Sequence, residues 1–297
     1  MHDVNINHAF LDGVLRGDHV DVYYHFGLAS DDPVLAQFRD LRAVILAGSG
    51  DRIVEFAQRW STMHAGAPIV ALPKEERFVT RYCAGVLFAS HGMGMPSASI
   101  AVQELMRLVY RLKDGDLDAM SEVFWARVGT SGGVGLPGGT VVVSTEGVMA
   151  DLKPFRLLQG GAGEYVFEGH FPLEVARAIV AASAGSGIPV ELGRTVATNE
   201  FFLEQFRLDG AIRMETPQSK DAWLRWLDSN GVRNIEMEGA MLAGYLNHWG
   251  FPRFAMICTT LLNRLEGDQV TASHDELHAY SQRSGHVLFH YLTATLG

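Results

Sequence analysis

Three short segments carry side chains whose types and spacing could do chemistry. Gly48-Ser49-Gly50-Asp51-Arg52 sets glycines and an arginine around the start of an expected helix, where backbone N–H groups and a guanidinium fork can hold an anion. Alone, the pentapeptide reads better as a plain strand-to-helix turn with a surface arginine. Arg127-Val128-Gly129-Thr130-Ser131-Gly132-Gly133 follows an arginine at a strand end with hydroxyls and bare backbone, the donors a tetrahedral oxyanion needs. The competing reading there is a glycine-rich hairpin. Asn234-Ile235-Glu236-Met237-Glu238-Gly239-Ala240 brings two carboxylates to the start of a helix, where they can accept the paired hydroxyls of a sugar or simply complement the helix dipole. A fourth match, Gly133-Val134-Gly135-Leu136-Pro137-Gly138, fits the G-x-G-x-x-G spacing of a dinucleotide loop. It is set aside, because Pro137 and the β-branched run Val141-Val142-Val143 exclude the helix such a loop must open.

The elements that must position these segments follow from hydrophobic periodicity. Leu41 to Ala47 predicts a strand, and Ile53, Phe56, Ala57 and Trp60 recur at helical spacing after it. Val86 to Ser90 repeats the pattern, turning through His91-Gly92-Met93-Gly94-Met95-Pro96 into a helix with Ala101, Leu105, Leu108, Val109 and Leu112 on one face. Val123 to Val128 predicts a third strand, closed by a glycine-rich loop over Gly129 to Gly139 and followed directly by a strand from Thr140 to Ser144. Further on come a helix over Leu173 to Ala182, a strand near Val190 to Ala197, and a helix with Trp223, Trp226 and Leu227 that stops at Gly231. Asn234 to Glu238 then leads into a helix ended by Gly250, Phe254 to Thr260 reads as a buried strand, and Leu277 to Leu296 is helical. No linker, repeat or low-complexity segment interrupts this alternation, which predicts one three-layer α/β/α sandwich over residues 1–297. In such sheets, ligands gather at the carboxyl ends of the strands, where the three segments fall.

Composition narrows the class. The 297 residues are 47% hydrophobic and 20% charged, the balance of a packed globular body. A formal net charge of −10 opposes any polyanion, so nucleic acid is not an expected partner and an anion has to be bound locally. Cys83 and Cys258 sit in apolar runs and read as buried free thiols suited to a reducing compartment. Met1 to Phe26 lacks the basic start and apolar run of a secretory signal, and no apolar stretch reaches bilayer-spanning length, so a cytoplasmic protein without a membrane partner is expected. Neither H-E-x-x-H nor C-x-x-C occurs, so no metal is expected.

Taken together, the motifs resemble those of the animal-type uridine phosphorylases of the nucleoside phosphorylase I superfamily. The likeness runs through Tyr24-His25-Phe26, Ser90-His91-Gly92-Met93-Gly94, Arg127 to Gly133, Gln205-Phe206-Arg207-Leu208-Asp209-Gly210, Asn234 to Glu238, and Thr260 to Gln269. It implies a nucleoside phosphorylase-like fold with a mixed central sheet, and phosphorolysis of uridine to uracil and ribose 1-phosphate in pyrimidine salvage or catabolism. Inorganic phosphate would be a co-substrate and no cofactor would be needed. Phosphate would fall to Gly48, Arg52, Arg127 and Thr130, with Arg77 from a neighbouring subunit. Ribose would fall to Met237 and Glu238 with Glu236 nearby, and to His25 across the interface of a homodimer. Gln205 offers a donor and an acceptor that match O2 and N3–H of uracil, and Arg207 can donate toward O4 and meet the charge that grows there. Phe201 would stack near the base and Arg264 would lie behind Arg207; Asp209 is given no catalytic role. Bulky Phe206 departs from the small residues of the family, and either packs away from the base or narrows its pocket. The rivals are a nucleosidase, a purine nucleoside phosphorylase, which Gln205 and Arg207 disfavour, and a catalytically silent nucleoside-binding paralogue.

Overall fold

The computed structural model describes residues 7–72, 74, 76–161 and 163–296. The chain divides into two compact units: the first runs up to Ala126 and includes His248–Phe254, and the second comprises Arg127–Asn247 and the chain from Ala255 onward.

In the first unit, helix α1 (His8–Arg16) is capped by the Asn7 side chain and precedes a short ladder of β1 (Val22–Tyr23) with β2 (Leu28–Ala29). The apolar run before Gly48 forms β3 (Ala43–Ala47), every residue buried, and Ser49 caps helix α2 (Gly50–Met63) by accepting from the Arg52 N–H. Strands β4 (Val70–Ala71), β5 (Thr80–Cys83) and β6 (Val86–Ser90) follow; β6 lies parallel to β3 and antiparallel to β5, which pairs antiparallel with β4. Helix α3 (Gly94–Leu112) buries the predicted stripe through Ala101, Leu105, Leu108 and Val109, and α4 (Leu117–Ser121) is a single capped turn and a half.

The chain crosses into the second unit within β7 (Phe124–Gly133). The glycine-rich stretch expected to be a loop from Gly129 instead continues this strand to Gly133. The reason is close approach: a Cβ on Gly129 would stand 2.9 Å from Arg127 Nη1, and one on Gly132 would stand 2.9 Å from Arg264 Cγ. These glycines make room for two guanidinium side chains rather than break the strand.

Strand β8 (Val141–Val148) is followed by the hairpin of β9 (Phe155–Gln159) and β10 (Gly163–Phe167), helix α5 (Leu173–Ala182) and strand β11 (Val190–Ala197). Helix α6 (Pro217–Ser229) starts at a capping box of Thr216 and Ser219 with Pro217 in its first turn, and the chain turns away at Gly231 with φ +77°. Strand β12 (Val232–Glu236), helix α7 (Gly239–Trp249), strand β13 (Phe254–Asn263) and the long helix α8 (His274–Leu296) complete the order.

Within the second unit the strands run β12-β11-β8-β13-β7, and β12 pairs again with β7 through Asn234↔Gly133 and Ile235↔Gly132. Five strands thus close on themselves. Strands β7 and β8 lie on either side of β13, so the glycine run between them is not a hairpin. Parallel pairs (β11 with β8 and β12) and antiparallel pairs (β13 with β8) coexist, so the sheet is mixed. A belt of buried polar side chains joins four of these strands: Ser131 to Asn234 (3.0 Å), Asn234 to Thr195 (2.7 Å), and Thr195 to Ser144 (2.6 Å). Every member is hydrogen-bonded, as burial demands. Among the described residues, no helix is long and apolar enough to cross a membrane.

Candidate active site

Strand β7 carries Arg127 into the second unit with only 6% of the residue exposed. Its Nη1 donates to Cys258 Sγ at 2.8 Å and lies 3.2 Å from Glu236 Oε2, while Nη2 pairs with Glu238. Its Nε is buried and has no hydrogen-bond partner. Glu236 accepts the Glu238 and Gly239 N–H groups, both at 2.8 Å, and so also fastens the start of α7, as a helix-terminal carboxylate does.

Burial pushes the Glu236 carboxyl up to about 7; Arg127 pulls it back and Glu238 adds to the rise. Burial works against the Arg127 charge, but Glu238 and Glu236, together with the hydrogen bond to Cys258, outweigh it and hold the guanidinium above its ordinary range. The Cys258 thiol is pushed up to about 12 by the same burial, so it meets Arg127 as a neutral group. Thr130 and Met237 are half-buried near this cluster in sequence.

The second cluster lies at the carboxyl end of β11. Gln205 is 3% exposed, and both ends of its amide are engaged: Nε2 donates to Thr198 Oγ1 at 2.9 Å, and Oε1 accepts from Arg264 Nη1 at 3.3 Å. Arg264, 1% exposed, also donates from Nη2 to the Gln205 carbonyl (2.9 Å) and from Nε to Asp268 Oδ1 (3.0 Å). Asp268 in turn takes Lys220 Nζ at 2.8 Å and the Leu208 N–H at 3.0 Å. Burial opposes the Asp268 charge, but Lys220, the Leu208 N–H and Arg264 overcome it and keep the carboxyl below its ordinary range.

Arg207 spans this cluster, donating to Asp209 through Nε (2.9 Å) and Nη2 (2.5 Å) and to the Asp268 carbonyl (3.1 Å). Its guanidinium lies 4.5 Å from the centre of the Phe201 ring, which is 40% exposed. Asp209, without a role in the sequence reading, is therefore the group that orients Arg207, with Gln269 Nε2 steadying it at 2.7 Å. Arg264 stands directly behind Gln205.

Phe206 packs away from this surface. Its ring stacks on Trp223 of α6, with centroids 4.6 Å apart and planes 10° from parallel, beside Leu265. The stack comes with a backbone φ of +54° at Phe206. Left-handed backbone costs a residue with a Cβ about 1–2 kcal/mol, and a stacked aromatic pair returns about 0.5–1.5 kcal/mol beyond its burial. The two terms nearly cancel, so helix α6 holds the loop between Gln205 and Arg207 in a shape that otherwise suits glycine.

In the first unit, Gly48 follows β3 and Arg52 is half-buried in the first turn of α2. His25 lies in a 3-10 turn, and its carbonyl accepts the Arg77 N–H at 3.0 Å, so the structure brings these two together. The His25 ring Nδ1 meets Glu104 Oε1 at 2.7 Å, and the same carboxylate takes the His25 backbone N–H. Arg77 is exposed. Glu104 escaped sequence reasoning, although a carboxylate on the apolar stripe of α3 was a usable signal. Thr198, Cys258, Lys220 and Trp223 were also missed, and none of them stands out without its long-range partners.

The chain matches the Phosphorylase superfamily over residues 42–296. It is 36% identical over 284 residues to a uridine and thymidine phosphorylase of Caenorhabditis elegans, covering 94% of this chain and 93% of the relative. It is also 32% identical over 288 residues to an inactive uridine phosphorylase B of Schistosoma mansoni, covering 93% of each. A crystal structure of the Schistosoma mansoni uridine phosphorylase in complex with thymidine superposes with a TM-score of 0.87 at 33% identity, over 96% of this chain and 97% of the other. The mixed sheet flanked by helices is thus the nucleoside phosphorylase fold, and the chain belongs to the phosphorylase superfamily, within its uridine phosphorylases.

Proposed function

We infer that the chain catalyses the reversible phosphorolysis of uridine to uracil and ribose 1-phosphate, and accepts deoxyuridine. The observation that carries this reading is Gln205. With Thr198 and Arg264 each using one position, its amide keeps one N–H and one acceptor lone pair, the complement of uracil O2 and N3–H. The uracil, thymidine and 5-fluorouracil complexes of the Schistosoma mansoni enzyme support the same substrate class.

Phosphate is the proposed nucleophile. In the second unit, Arg127 and Thr130 are its ligands, and the buried Nε of Arg127 is a donor suited to an anionic acceptor. In the first unit, Gly48 and Arg52 at the start of α2 and the exposed Arg77 are proposed as phosphate ligands as well. When Arg127 turns to phosphate, Glu238 is released to accept ribose hydroxyls alongside Met237, with Glu236 behind. Phosphate attacks C1′ as the bond to uracil loosens, inverting the configuration, and its charge and the carboxylates favour the cation-like sugar midway. Arg207, fixed by Asp209, and Arg264 favour the negative charge that collects on uracil, and Phe201 flanks the ring. No cofactor or metal takes part.

His25 and Arg77 are proposed to serve the neighbouring subunit of a homodimer. They adjoin one another, and the exposed Val20, Val22 and Tyr24 beside them form apolar surface that a partner would cover. The family match across both units supports one domain of 297 residues; the acidic composition speaks against a nucleic-acid partner, and the buried free thiols Cys83 and Cys258 suit the reducing cytoplasm proposed for the protein.

A silent nucleoside-binding paralogue is the second reading, since an inactive relative is nearly as similar as the worm phosphorylase. The test is uracil release from uridine, followed by ultraviolet absorbance with and without phosphate, beside deoxyuridine, thymidine and inosine. Phosphate-dependent release from uridine and none from inosine is expected. Phosphate-independent release would make the protein a nucleosidase, and no release with retained uracil binding would make it the paralogue.

A further inference from the structure

We propose that Thr198 is a positioning residue that fixes which way the Gln205 amide faces, and through it restricts the base to one with a free imide N–H. The proposal rests on the uridine reading above and adds a residue to it.

Thr198 follows the last residue of β11 and is fully buried. Its backbone N–H donates to the Glu236 carbonyl at 3.0 Å, and its hydroxyl reaches the same oxygen at 3.4 Å. With the hydroxyl hydrogen given to Glu236, Oγ1 faces Gln205 as an acceptor, and it accepts Nε2 at 2.9 Å. At the other end of the amide, Arg264 can only donate. Its Nη1 therefore selects the Gln205 oxygen, and its Nη2 grips the Gln205 carbonyl, so side chain and backbone are held by one guanidinium. Turning the amide over would set its NH2 against the guanidinium and its oxygen against the Thr198 lone pair. The guanidinium end resists that outright, and the Thr198 end resists it by the hydrogen its hydroxyl would have to take back from the Glu236 carbonyl.

The polarity of Gln205 is thus set before a base arrives. An imide satisfies the remaining N–H with O2 and the remaining lone pair with N3–H. A cytosine ring presents a lone pair at N3, and a base with carbon at that position presents no donor; either leaves the second lone pair of Oε1, the one Arg264 does not use, unmatched in a buried site. Thr198 touches no substrate in this scheme and acts only through Gln205. It also ties the base cluster to the Glu236 backbone, the residue whose side chain meets Arg127.

The experiment compares Thr198→Val, Thr198→Ala and Thr198→Ser with the unaltered protein, using uridine and 3-deazauridine, which keeps O2 but has carbon in place of N3. The Glu236 carbonyl keeps its backbone N–H donor in all three variants. Loss of the hydroxyl is expected to lower kcat/KM for uridine about tenfold, mostly through KM. The same change should move 3-deazauridine by less than about twofold, and Thr198→Ser should restore uridine. Equal losses on both nucleosides, or an unchanged uridine KM in Thr198→Val and Thr198→Ala, would overturn the proposal. Calorimetric binding of uracil and its 3-deaza analogue supplies the same comparison without turnover. Uracil binding without turnover would defeat phosphorolysis yet leave this test decisive, whereas no uracil binding by the unaltered protein would defeat both.

Discussion

Arg127 and Arg264 are both buried guanidiniums in the second unit, 6% and 1% exposed, yet they are housed in opposite ways. Arg264 has its donors spread over Asp268, the Gln205 carbonyl and the Gln205 side chain, one of them charged and two neutral. Burial and the nearby Arg207 pull its pKa down, and Asp268 opposes them. Arg127 faces two carboxylates and a thiol, and still has an Nε without a partner. The first arrangement is saturated and holds a shape; the second has negative charge to spare and can exchange a partner. The proposed phosphorolysis, which needs a neutral base and an anion held together, calls for both kinds of arginine. On that reading the base side is ready in advance, while the anion side has to trade one acid for another.

The sharpest way to break this contrast is to remove each arginine in turn. Arg127→Ala is expected to lower kcat/KM for phosphorolysis by about 10³-fold, with loss of phosphate saturation, measured by initial rates over phosphate concentration. It should also lower stability in chemical denaturation by about 3–5 kcal/mol, because two buried carboxylates lose their counter-ion. Arg264→Ala is expected to cost about 10²-fold, expressed in KM for uridine with KM for phosphate nearly unchanged. Equal effects of both variants on both substrates would erase the distinction.

A gentler probe is pH. Below about 7 the Glu236 carboxyl holds its proton, so Arg127 faces one carboxylate fewer and an anion competes better. Sulfate, which does not titrate in this range, should inhibit competitively with phosphate about tenfold more weakly at pH 8 than at pH 6, with Glu236→Gln flattening the profile. The same raised value makes this group's contribution to folding stability complete below about 4.5 and lost as the pH rises through about 7, since the unfolded chain releases that proton first. The smallest expected effect is at Phe206. Phe206→Gly relieves a left-handed backbone and loses the stack on Trp223, so stability should change by less than about 1 kcal/mol while KM for uridine rises about threefold. A large rise in KM for phosphate instead would couple the two sides.

Much of the fold was legible because it rests on local periodicity. The strands at Val86–Ser90 and Val190–Ala197 and the helix at Leu173–Ala182 have the predicted limits. The closure of β12 onto β7 was not legible, since a pairing of residues about a hundred apart depends on how the sheet curls and leaves no local pattern. Gly129 and Gly132 misled for a related reason. Glycine marks both a break in a strand and a place where another group comes near, and only the positions of Arg127 and Arg264 decide between them. At the site, the family motif pointed to Gln205, Arg207, Arg127 and His25, while Thr198, which holds Gln205, carries no mark of its own in a single sequence; Asp209 lay inside the motif without a catalytic role, and Glu104, which holds His25, showed only as a carboxylate on an apolar helix face.

The polar belt across β8, β11, β12 and β7 has a direction. Thr195 gives its hydrogen to Asn234 Oδ1, so the hydrogen it shares with Ser144 must come from Ser144; Asn234 passes an amide hydrogen on to Ser131. Each group hands on in the same sense, like people in a queue, and Ser131 at the head still has a hydrogen to give. Dipoles lined up this way add, so four neutral side chains lend positive character to the strand that carries Arg127 without spending a single ionic charge. Reversing one member would force the whole row to turn round.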